Sequence, residues 1–162
     1  MAYIKLNIDF GGLLEDIKLA GGNVESTASQ VANECAKTMH NELVSECSAS
    51  GIPSSISREI KDSVNATGGG NVYEVKVGWE LGDYNPKSPS AGYKAIFLNY
   101  GTARRMAKKR VHRNINGVWV TLGPDRGSIA ARGFIAKAKK GAAKKIKKTQ
   151  KDALKQMLKE LT

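Results

Sequence analysis

The stretch Val72-Tyr-Glu-Val-Lys-Val-Gly-Trp-Glu-Leu81 sets the architecture. Tyr73, Val75, Val77 and Trp79 alternate with Glu74, Lys76, Gly78 and Glu80, the period of a strand with one buried and one wet face. Such a strand needs partners and a helix to cover it. The first candidate partner is Tyr3–Phe10, where Ile4, Leu6, Ile8 and Phe10 alternate with Lys5, Asn7 and Asp9; it reads as a half-buried strand, or as the lead-in to a helix. Gly11-Gly12 and Gly21-Gly22 then bracket Leu13–Ala20, long enough for two helical turns. Asn23 can cap a longer helix whose stripe Val24, Ala28, Val31, Ala32, Cys35, Met39 and Leu43 follows helical spacing. That helix stops where Ser, Gly and Pro cluster, at Ser48–Pro53.

Between this helix and the strand, Ile56, Ile60 and Val64 recur every fourth residue, which predicts a short helix ended by Gly68-Gly69-Gly70. Downstream, Gly82–Gly92 contains two prolines and little that packs, and reads as an exposed loop. A compact apolar stretch, Tyr93–Tyr100, ends at Gly101-Thr102, which suit a backbone turn. Gly117–Leu122, carrying Val118, Trp119, Val120 and Leu122, can pair with a strand beginning near Val111 through a turn at Asn114–Gly117. The last element is a helix from about Phe134 to Leu161, roughly 42 Å long, with Ile135, Ala138, Ala142, Ile146, Ala153 and Met157 on one line. Lys137, Lys140, Lys144, Lys147, Lys148, Lys151, Lys155 and Lys159 fall on the opposite side. The expected fold is a single α+β domain over residues 1–162, a small antiparallel sheet flanked by an N-terminal helix and a long C-terminal helix.

Composition is compatible with that picture. At 162 residues, 41% apolar and 25% charged, the chain can bury a core without a disulfide or a metal. No window holds the roughly 18 to 20 uninterrupted apolar residues of a membrane span, and no basic-then-apolar leader is legible. Cys35 and Cys47 lie on the first long helix about 18 Å apart along its axis, too far to pair there, which points to a reducing setting. The charge is segregated: residues 1–100 carry 8 basic and 12 acidic side chains, whereas residues 101–162 carry 18 basic and 3 acidic. In the second part, Arg104, Arg105, Lys108, Lys109, Arg110 and Arg113 crowd one loop, and ten lysines follow from Lys137 to Lys159. Such density suits a solvated face, a polyanion or an acidic protein surface.

Motifs of catalysis are not legible. His40 and His112 stand 72 positions apart, with no Cys or carboxylate at metal-ligand spacing around either. Gly68-Gly69-Gly70 lacks the GK[ST] ending of a phosphate loop, and no G-x-S-x-G elbow occurs. No enzyme, cofactor or metal is expected. Arg104–Arg113 suits phosphate contacts, yet only His112 and the distant Trp119 offer rings for base stacking, so backbone contact or an acidic partner fits better than sequence reading.

The run Tyr93-Lys-Ala-Ile-Phe-Leu-Asn-Tyr-Gly-Thr102, followed by Arg132-Gly-Phe-Ile-Ala-Lys-Ala138 and a lysine-rich helix, resembles the tail-completion or head-tail joining (neck) proteins of long-tailed bacteriophages. In that family an aromatic segment ends in an acidic or polar residue, an aromatic and Gly-Thr, and a later Pro-Phe opens a charged final helix. Here Asn99 stands where an acidic residue is common, and Gly133 where the proline usually precedes Phe134. The resemblance implies a ring, usually of six subunits, between head connector and tail tube in the virion, assembled in the host cytoplasm, without catalysis and without a membrane. It also implies neighbouring neck, connector and tail-tube proteins as partners, and non-specific contact with DNA passing through the channel. On this reading the basic hairpin, about residues 103–122, docks on a partner or on DNA. The final helix, through Phe134, Ile135, Ile146 and Met157, packs subunits together, its end reaching a neighbour. The alternatives are a tail terminator capping the tube and a sequence-independent nucleic-acid-binding module.

Overall fold

The computed structural model describes residues 2–9, 24–67, 72–82, 84–106, 110–123, 125 and 127–160. The expected helix at Leu13–Ala20, the Asn23 cap, Phe10 and the Gly68–Gly70 turn lie outside them. The elements are β1 (Ala2–Asp9), α1 (Val24–Ala49), α2 (Ser54–Ser57), β2 (Lys61–Thr67), β3 (Val72–Trp79), α3 (Ala91–Tyr100), β4 (Val111–Ile115), β5 (Val118–Leu122) and α4 (Phe134–Glu160). The fold is α+β, a small antiparallel sheet with an N-terminal and a C-terminal helix.

β3 is the central strand of a sheet ordered β1-β3-β2, antiparallel on both sides. Its register places Ile4 opposite Val77, Leu6 opposite Val75 and Ile8 opposite Tyr73, so the apolar sets of both strands share one face. α1 covers that face. α4 packs along α1 and touches β1. Arg132, just before α4, reaches the end of α1 at Ser50 and Gly51, whereas Lys145 meets Glu42, so the two helices run antiparallel. α1 is therefore buried on two sides: Ala28, Val31, Ala32, Cys35, Ala36, Met39, Leu43 and Cys47 all belong to the core. Small residues dominate this set because they let α1 approach sheet and helix at once. Burial pushes both thiols up to about 11, so neither is poised to react.

The opposite face of the sheet is polar, where Glu74 is held between Lys5 and Lys76, whose ammonium groups keep its carboxyl below the usual range. At the end of β3, buried Trp79 donates its Nε1–H to the Ile56 carbonyl at 2.7 Å and meets Phe134 edge-on, ring centroids 6.0 Å apart. This joins sheet, α2 and α4.

Three expectations are corrected. The helix expected through Ile56, Ile60 and Val64 ends at Ser57, and Val64 instead sits in β2 opposite Val75. A spacing of four residues returns to the same face in a strand as well as in a helix, so it could not discriminate between them. The exposed loop ends before Ala91, where α3 begins; Gly92 is buried in its first turn, against the Glu80 carbonyl, where a Cβ would come within 2.6 Å of that oxygen. Finally, Phe134 is fully buried and Ile146 is 4% exposed within this one chain, so neither has surface left for a neighbouring subunit. As far as Ile146, the apolar stripe of α4 is taken up in the core beside α1, which at 26 residues is nearly as long as the 27 of α4. Ile135 is half-buried against the same core, and the Met157 side chain lies outside what is described.

Candidate functional site

β4 and β5 form a two-stranded hairpin that does not join the main sheet. Its turn is Asn116-Gly117 with φ of 52° and 85°, the pair of positive angles that matches the twist of flanking strands. Asn114 Oδ1 accepts the Gly117 N–H at 2.8 Å and closes the turn. Below it the ribbon continues toward the body. Arg105 donates its N–H to the Gly127 carbonyl at 3.0 Å, Met106 pairs with Asp125, and Thr102 pairs with Ile129. Thr102 also accepts the Ile129 N–H on its Oγ1 at 3.1 Å. The stalk thus starts where α3 ends.

Gly101 makes that start possible. With φ 74° and ψ −178° it occupies a region open essentially to glycine alone, and a Cβ there would lie 2.6 Å from the Ile129 carbonyl oxygen. Gly101 and Thr102 therefore serve the backbone at the foot of the ribbon.

The register sorts the ribbon into two faces. Arg113 opposes Val120 and Ile115 opposes Val118 on one face; His112 opposes Thr121 and Asn114 opposes Trp119 on the other. The described side chains from His112 to Thr121 are all exposed, with Trp119 at 73% and Val118 at 63%. Ile115, Val118 and Val120 line one exposed face and Trp119 stands on the other; a lone hairpin in water is marginally stable, and exposed apolar side chains of this kind mark a surface that binds. The bases do not act as one group. Arg104 is tied to Asp125, with Nε 3.0 Å from Oδ2, and the guanidinium holds the Asp125 carboxyl below the usual range. Arg105, Arg110 and Arg113 are exposed with no carboxylate in ion-pair reach among the described residues. Lys108 and Lys109 lie outside the described residues. Of the six bases expected to form the contact surface, three are exposed without an ion-pair partner among the described residues, and Arg113 shares a face with Ile115, Val118 and Val120.

Sequence reasoning missed the junction that anchors the ribbon. Asn99, 5% exposed, accepts the Ile135 N–H on its Oδ1 at 2.9 Å, while its backbone carbonyl accepts the Gly133 N–H at 3.0 Å. Gly133 has no side chain with which to cap α4, and Asn99 supplies the acceptor from α3 instead. Arg132 donates from Nη1 to the Ser50 and Gly51 carbonyls at 2.8 and 2.6 Å, closing the end of α1. The signal for Asn99 was present: a single amide in an otherwise apolar run is a buried polar group that needs partners.

Elsewhere, a cleft of about 220 Å³ lies beside the end of β3, lined by Tyr3, Lys61, Lys76, Trp79 and Glu80. Lys61 is bonded to Glu80 at 2.9 Å and Lys76 to Glu74. His40 Nδ1 lies 3.2 Å from Asp62 Oδ1 across α1 and β2. Among the described residues no group of three or more His, Cys, Asp or Glu is placed to hold a metal ion, and no helix is long and apolar enough to cross a membrane. No protein-family model, curated protein or solved structure matches this chain.

Proposed function

We propose that the chain is a structural assembly protein of the phage neck, a tail-completion or head-tail joining subunit that forms a ring between head connector and tail tube. The observation that carries this reading is the ribbon rooted at Gly101-Thr102: an arm outside the core with an exposed apolar face, flanked by free arginines. Such an arm gains most of its order when a partner covers it, and the arginines select an acidic rim on that partner. The resemblance across Tyr93–Thr102 and Arg132–Ala138 supports the reading by coinciding with the junction that holds the arm. A tail terminator capping the tube would use the same arm against the tube alone.

The test is deletion of residues 106–120 in complementation of a phage lacking this chain. The main sheet, α1 and α4 make their contacts without the arm, so the deleted protein is expected to stay folded while heads and tails accumulate unjoined. Normal virion yield would overturn the docking role.

A further inference from the structure

The outer face of α4 is the second exposed surface among the described residues. The inner face lies on α1 through Phe134, Ala138, Ala142 and Ile146, which fixes the opposite side toward solvent. There the eight lysines from Lys137 to Lys159 are all exposed. They span 22 helical steps, roughly 33 Å along the axis, on one side of the helix without an acidic residue before Asp152. Lys145, at the flank, is paired with Glu42. Lys140, Lys144, Lys147 and Lys151 have no carboxylate in ion-pair reach among the described residues. Consecutive members lie three or four positions apart, the spacing at which like charges on a helix repel. These four therefore carry a repulsion that no carboxylate among the described residues relieves and that an external row of anions would.

We propose that this face binds the phosphate backbone of duplex DNA without regard to sequence. A row of cations about one duplex turn long suits a rigid polyanion carrying a charge every 1.7 Å or so. Single strands are disfavoured because the face holds no aromatic side chain on which a base could stack. An anionic membrane is disfavoured because the apolar side chains of the helix from Phe134 to Ile146 that are described as buried are already taken up in the core and are not open to insert. A folded acidic protein offers patches rather than a continuous row, and fits the shorter basic arm better. The inference concerns a different surface from the arm, and DNA binding at that surface is tested separately from ring formation.

The experiment is fluorescence polarisation of a labelled 30-base-pair duplex titrated with the full chain between 50 and 300 mM KCl. Binding is expected for two unrelated sequences alike, with log K falling on log salt with a slope of about −3 to −7. The variant Lys140→Gln/Lys144→Gln/Lys147→Gln/Lys151→Gln keeps good helix formers at exposed positions, so its circular dichroism should be unchanged. It should bind at least about tenfold more weakly at 100 mM KCl, with the slope reduced in size by about 3 to 4. A Val118→Ser/Trp119→Ala variant of the arm should bind within about twofold of the parent, as expected for a separate surface. Unchanged affinity in the lysine variant, or loss of binding in the arm variant, would overturn the assignment. Stronger binding to poly-glutamate or to phosphatidylserine vesicles than to the duplex would overturn it too, in favour of an acidic protein or a membrane.

Discussion

Asn99 and Gly133 are the two positions where this sequence departs from the neck-protein pattern it resembles, and they touch each other. The Gly133 N–H donates to the Asn99 carbonyl, and Gly133 has φ 61°, an angle a proline ring cannot adopt. With Gly133 in place, α4 starts without a cap of its own, and the Asn99 amide oxygen takes that role. The acceptor matters here more than the amide. Asn99→Asp keeps the acceptor and adds a negative charge at the positive end of a helix, so it should leave the melting temperature within a few degrees of the parent or raise it. Asn99→Ala leaves a buried N–H unpaired and should cost about 1–2 kcal/mol in denaturant unfolding. Equal stability of the Ala variant would show that the bond contributes nothing. The sequence alone could place Asn99 in a packed segment, but its partner is 36 positions away and no local pattern points to it.

Elements were legible in proportion to how far their periods stood apart. β3, β1 and α1 announced themselves because alternation and a helical stripe exclude each other over eight or more residues. β2 is misread because Ile60, just before it, and Val64 satisfy both periods, and its remaining residues, polar but for Ala66 on an edge strand, carry little apolar signal. α3 was seen as a packed segment without its type, since a short apolar run is shared by buried helices and strands. The hairpin is legible as two short apolar arms around a turn at Asn114–Gly117, which the structure narrows to Asn116-Gly117; its exposure is not, because a run such as Val118, Trp119 and Val120 fills two faces and says nothing about what covers them. α4 taught the converse lesson. Its stripe was rightly seen as made to pack, but sequence could not say that α1 of the same chain takes it up. Ile146→Asp places a charge in that interior and should abolish the cooperative melt altogether. An Ile146→Asp variant that stays folded and soluble would show that the stripe serves another subunit after all.

At the scale of the molecule, one end of the chain builds a compact body and the other builds its two open surfaces. Residues 1–100, which build the sheet and α1, hold 12 of the 15 acidic residues; the arm and the outer face of α4 hold most of the bases. That separation was plain in the charge count, and its direction in space follows from α1 drawing the apolar side of α4 inward. The function classes were less legible, because an assembly surface asks only for exposed apolar and charged side chains, which many arrangements satisfy. Which of the crowded bases are free was not legible at all, since Asp125 neutralises Arg104 from 21 positions away.

The most direct test of the neck reading is the mass of the purified chain in solution, by light scattering after size exclusion at moderate salt, with and without tail-tube protein of the same phage. The account predicts a ring of about six chains, or a monomer recruited into one when tube protein is added, with Val118→Asp/Trp119→Asp preventing recruitment. A monomer indifferent to tube protein would contradict it.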